Sequence, residues 1–159
     1  MAHVRIIAVG KLKEAYFQQA QAEYLKRLGS YLKLELIELP DLPCPDGASA
    51  AQEEQVRRKE GLQIRNVLQP RDFVVVFDRE GKEVSSVELA GFLQERELAG
   101  SSLALIVGGS LGVSKDLLEL ANLKLSFSRL TFPHQLFRVI LLEQLYRACK
   151  INRGEKYHK

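Results

Sequence analysis

The chain has 159 residues, 46% hydrophobic and 27% charged, with a formal net charge of +3. This length permits one substantial core, and the composition is that of a folded chain, which excludes a disordered one. Its two cysteines, Cys44 and Cys149, are far apart and lack C-x-x-C spacing, which argues against a disulfide framework or zinc site and for a reducing cytoplasm.

Val4–Val9, VRIIAV, reads as a buried strand interrupted by Arg5, an apolar run too short for a signal segment or a bilayer span. An amphipathic helix is expected from about Lys11 to Leu28, ending at Gly29. Lys33–Leu39, KLELIEL, alternates with period two as a half-buried strand does. Pro40–Ala50, rich in proline, is the one extended loop. Gln52–Leu68 continues as a charged, solvent-facing helix weakened at Gly61. Phe73–Phe77 and Leu103–Val107 are short, continuous apolar runs, as in central parallel strands covered on both faces. A helix over Ser86–Leu98 separates them. A short helix near Ser114–Ala121 leads to a fifth strand, Leu123–Ser128, and Pro133 falls in the first turn of a last helix. This alternation predicts a single α/β domain over residues 1–159, a five-stranded, mostly parallel sheet flanked by helices.

The last helix is apolar on more than one side. Leu142, Leu145, Tyr146 and Cys149 share a flank, while Phe137 and Leu141 point elsewhere, as do Leu136 and Ile140. A helix of this kind is buried on several sides, either at the centre of one subunit or against a second copy in a two-fold dimer. The same segment holds the positive surplus: from Leu130 onward six basic residues face two acidic ones, and the preceding part sums to −1. Such a patch suits a polyanion such as nucleic acid, or simply complements a helix C-terminus.

Three loops leave the carboxyl ends of strands: FDREGK from Phe77, GGSLG from Gly108, and SRLTFPH from Ser128. Open α/β sheets bind ligands at such edges, and Gly108 and Gly109 permit close approach of backbone amides. Neither a G-x-G-x-x-G nor a G-x-x-x-x-G-K-[ST] run is present, so a nucleotide-type ligand must be held in another way. GGSLG also fits the G-x-S-x-G elbow of serine hydrolases, with Ser110, Asp116 and His134 in the chain order of a triad. Asp116, only six residues beyond Ser110, would have to swing back over the sheet edge. No His, Asp, Glu or Cys set has metal-ligand spacing.

Taken together, LIVGGSLG, LSFSRLTFPHQLFRVILLEQLYRA and the closing GEKYHK resemble the bacterial large-subunit ribosomal RNA pseudouridine N3-methyltransferases, small members of the SPOUT (α/β-knot) class. The resemblance spans the whole chain. It implies a C-terminal deep trefoil knot, a homodimer, and S-adenosylmethionine as cofactor, with no metal and no membrane. Carried over by position, the cofactor contacts are Phe77, Gly108, Gly109 and the run Phe127, Ser128, Arg129, Leu130, Thr131 and Phe132. Phe77 stands where the family has an aliphatic residue, although a ring there can still cover adenine. The acceptor is N3 of a pseudouridine in large-subunit ribosomal RNA, within the assembled ribosome. That nitrogen must lose a proton, so a base or a stabilising cation is expected. His158, Arg138 and Tyr157 are the candidates for the chemistry, and Arg153, Lys156 and Lys159 for holding RNA. The competing readings are a non-catalytic ribosome-associated RNA-binding factor and a serine hydrolase acting through Ser110.

Overall fold

The computed structural model describes all 159 residues, as five strands and five helices that alternate along the chain. The strands are β1 (Ala2–Val9), β2 (Leu32–Leu39), β3 (Asp72–Glu83), β4 (Ser102–Val107) and β5 (Leu123–Ser126). The helices are α1 (Ala15–Leu28), α2 (Ala50–Val67), α3 (Ser86–Leu98), α4 (Lys115–Leu120) and α5 (His134–Asn152). They form one sheet in the order β2-β1-β4-β3-β5, in which every pairing is parallel.

Side-chain alternation divides the core between two faces. Val4, Ile6 and Ala8 of β1, Val75 of β3, and Leu103, Leu105 and Val107 of β4 pack with Leu28, Leu89, Leu93, Leu141 and Leu145 from α1, α3 and α5. Ile7, Val9, Val74, Val76, Ala104 and Ile106 face the other way, onto Ile64 of α2 and Leu117 of α4. Arg5, which interrupts the apolar run of β1, is only 4% exposed. Its guanidinium donates to Asp72 Oδ2 and to the Val67 carbonyl, each at 2.8 Å, so it ties the end of α2 to the start of β3.

Besides shifts of one or two residues at other element ends, such as β5 closing at Ser126 and not Ser128, the structure departs from the sequence reading in four places. Helix α1 begins at Ala15 and not Lys11, because Leu12 is buried and anchors an extended approach. Helix α2 passes unbroken through Gly61, which is buried against Ser114 and not on a solvent face. Pro133 sits at the N-cap of α5, one position before its first turn. Strand β3 is longer than the run Phe73–Phe77: it breaks register after Phe77 and resumes at Lys82, so that Leu125 of β5 pairs with both. Residues Asp78–Gly81 therefore bulge out of the sheet at its carboxyl edge.

Candidate functional site

The carboxyl edge of the sheet carries a cavity of about 960 Å³, walled by β3 and its bulge, the glycine turn after β4, the segment after β5, and the first turn of α5. All three loops expected from the sequence meet in it. Phe77, Gly108, Gly109, Phe127, Ser128, Leu130, Thr131 and Phe132 line it. Arg129 does not: its side chain is 88% exposed and lies 3.5 Å from Glu83, away from the cavity.

Each wall has a local cause. A side chain at Gly108 would place Cβ 2.8 Å from Val113 Cγ2 and 3.0 Å from the Gly112 backbone, so only glycine lets the turn close on itself. Ser128 Oγ accepts from the Leu130 N–H at 3.0 Å, and Ser126 Oγ donates to the Ser128 carbonyl at 3.0 Å, which fixes the curl after β5. Arg79 on the β3 bulge donates to Thr131 Oγ1 and joins two walls. Phe77, Phe127 and Phe137 form a mutual aromatic cluster, with ring centroids 5.1, 5.3 and 5.5 Å apart. Their faces make an apolar wall suited to a flat heteroaromatic ring.

Arg57 and Phe137 also line the cavity; they lie outside the three loops and were not read as site residues from the sequence. His134 and Phe137 are three residues apart, one helical turn, so a site at Thr131–Phe132 draws in both, and this spacing was the available signal. Arg57 comes from α2, far in sequence, and nothing local marks it. Ser110 and His134 both line the cavity, but no hydrogen bond joins either to the other or to the exposed Asp116, so the hydrolase triad is not assembled.

The tail lies elsewhere. Arg138 is 3% exposed and donates to the Gly10 carbonyl at 2.9 Å, to Gln21 at 3.0 Å and to Glu38 at 2.6 Å. Its charge is thus already neutralised inside the protein, where it holds the exit of β1 to α5; Gly10 itself has φ of +88°. Tyr157 donates to Glu143 Oε1 at 3.1 Å, and its ring lies 4.9 Å from that of Tyr146. Burial first, then the bond to Glu143, pushes the Tyr157 phenol up to about 12. Arg147 contacts His158 Nδ1 at 3.2 Å, and since a guanidinium only donates, Nδ1 accepts. Glu155 accepts from Tyr31 and Lys150, each at 2.6 Å, and Arg153 stacks on Tyr31 at 4.4 Å. Lys156 and Lys159 are exposed and make no ion pair. The tail is therefore folded back along the far half of α5. Glu143 and Arg147 stand six and ten residues beyond Phe137, the last residue of α5 to line the cavity, which at about 1.5 Å per residue is roughly 9–15 Å along the helix.

No group of His, Cys, Asp or Glu is arranged to hold a metal ion, and no helix is long and apolar enough to cross a membrane.

Comparison with known proteins gives a consistent result. The family model described as "Predicted SPOUT methyltransferase" matches residues 2–158. The "Ribosomal RNA large subunit methyltransferase H" of Carboxydothermus hydrogenoformans is 52% identical over 157 residues, covering 98% of this chain and 99% of that one. The protein of the same name from Desulforamulus reducens is 50% identical over 160 residues and covers both chains completely. Among solved structures, a probable methyltransferase from Bordetella pertussis superposes with a TM-score of 0.58 at 15% identity, over 93% of this chain and 95% of that one. That degree of likeness speaks to the fold.

Proposed function

We propose, on the premise that this chain belongs to the SPOUT methyltransferase family, that it is an enzyme transferring a methyl group from S-adenosylmethionine to N3 of a pseudouridine in large-subunit ribosomal RNA. The observation that carries this reading is the convergence of three sequence-distant loops on one cavity, in a chain about half identical, end to end, to proteins named for methylating that RNA.

The cavity fits the cofactor. The Phe77, Phe127 and Phe137 rings offer a face for adenine, and the Gly108–Gly109 turn lets backbone amides approach a polar ligand. When bound, S-adenosylmethionine supplies an electrophilic methyl group on a sulfonium, a chemistry that needs no metal. The chain's task is then alignment and proton management, and alignment alone contributes on the order of 7–11 kcal/mol.

His158, with Tyr157 beside it, is the group we assign to the N3 proton and the target base, and Arg153, Lys156 and Lys159 to RNA phosphates. Within one chain the tail stands well away from the cavity, so we assign it to the cavity of a second copy in a homodimer. Leu136, Val139 and Ile140 of α5 support this: they are only partly buried and belong to neither core cluster, which leaves an apolar stripe for a partner. Arg138, already paired with Glu38, keeps a positioning role under α5 and is not assigned to the chemistry. The knotted path expected for the segment after β5 belongs to the same reading, as do the cytoplasm and the assembled ribosome as substrate.

Two measurements test it. Calorimetric titration with S-adenosylmethionine gives saturable binding, and ribosomal RNA from cells lacking the protein loses a methylated pseudouridine that reappears on complementation. Absence of binding with or without ribosomes favours the non-catalytic RNA-binding factor.

A further inference from the structure

The inner face of α2 lies directly behind the glycine turn and meets it at three neighbouring positions. Arg57 donates to the Leu111 carbonyl at 3.4 Å. Gly61 packs so closely on Ser114, the N-cap of α4, that a Cβ would stand 2.6 Å from its Oγ. Between them Glu60 sits at the back of Gly109, with Oε1 3.6 Å from where a Cβ on that glycine would be. Gly109 lines the cavity on its other side.

Glu60 is 4% exposed and has no ion-pair partner. Oε2 accepts from the Leu42 N–H at 3.2 Å, and the Asp41 carboxyl lies within hydrogen-bonding reach of the Glu60 carboxyl. The ionisable group facing it from outside α2 is Asp41, of the same sign. Arg57, one turn back, is committed to Glu54 at 3.0 Å and to Leu111. Burial above all, with Asp41 adding to it, raises the Glu60 carboxyl above the usual carboxylate range. A buried acid with no cation beside it is costly to keep, unless a cation is brought to it during function.

Resting on the reading that the cavity takes S-adenosylmethionine, we infer that Glu60 is a specificity-determining residue that favours the cationic sulfonium donor over its neutral thioether product, acting through the wall that Gly109 leaves without a side chain. The donor carries a positive charge on sulfur and the product does not, so a carboxylate behind that wall strengthens binding of the first and leaves the second unaffected. Felt across one peptide backbone at an effective dielectric near 20, this difference in ligand charge corresponds to a preference of about tenfold or more. The same difference speeds product release after transfer.

The test is calorimetric titration of the full chain, wild type and Glu60→Gln, with S-adenosylmethionine and with S-adenosylhomocysteine. Glutamine keeps the volume and the acceptor for the Leu42 amide and removes the charge. The variant is expected to lose about tenfold in affinity for the donor and to hold the product within about twofold. An equal loss for both ligands makes Glu60 a merely structural support and overturns the inference. A wild-type chain that binds neither ligand overturns the reading of the cavity itself, which is a different failure.

Discussion

At the scale of single residues, two groups are kept in places that packing alone does not favour. His158 is exposed near the chain end, yet its ring is held against Arg147. If it manages the N3 proton, His158→Ala lowers the single-turnover rate by about 100-fold, the lower end of what positioned acid–base groups contribute, and leaves cofactor affinity within about twofold. Rapid-quench kinetics beside calorimetry reads both, and an unchanged single-turnover rate removes His158 from the mechanism. Glu60 is the converse, a buried acid without a cation beside it. Because its folded-state carboxyl is raised above the unfolded value, its proton-bound form stabilises the fold at low pH. That contribution is lost as pH climbs from the ordinary glutamate range through the raised value. Glu60→Gln is therefore expected to match the wild type in urea midpoint near pH 4 and to exceed it at pH 8. A variant less stable at pH 8 contradicts the account.

At the scale of elements, the sequence was most legible where a signal is local. Helix α3 runs from Ser86 to Leu98 as read, and Ser85 and Glu88 form a reciprocal capping box at its start, so side chains three residues apart define the boundary. The start of α1 offers no such mark: its N-cap, Glu14, makes no side-chain capping bond, and burial of Leu12 decides the boundary instead. The extension of β3 to Glu83 was equally hidden, because it depends on pairing with β5 some forty residues later. The same division runs through the site. The glycine turn and the run after β5 announced themselves at strand ends, whereas Arg57 and Glu60 reach the turn from a helix that periodicity alone placed in solvent. Gly61 shows how this arises: propensity marks it as a weak point, and tertiary contact makes it a packing position. Gly61→Ala is expected to destabilise the chain by about 1–3 kcal/mol in chemical denaturation, through overpacking against Ser114. On a free helix the same change would be stabilising.

At the scale of the whole molecule, the cavity lies at one end of α5 and the tail along its other half. The proposed dimer resolves that separation, and it is tested by disturbing the stripe without touching either end. Ile140→Glu places a charge in the stripe at a residue that neither lines the cavity nor bonds to Tyr157, with Phe137 and Glu143 each one turn away. The variant is expected to sediment as a monomer, to bind S-adenosylmethionine within about threefold of the wild type, and to lose at least about 100-fold in methyl transfer, the scale of an absent acid–base group. A monomer that retains full transfer would show that each chain works alone. Charge distribution bears on the substrate as well. With the positive surplus confined to the tail, affinity for RNA should weaken only gently with added salt, as few phosphates are neutralised per chain.

Helix α5 has neither proline nor glycine between His134 and Asn152, so it contains no hinge and behaves as a stiff lever about 27 Å long. One end of that lever forms part of the cavity, and the other carries the groups that would meet RNA. A ligand that shifts the first turn would then be felt at the far end, which would couple loading of the donor to the aim of the tail.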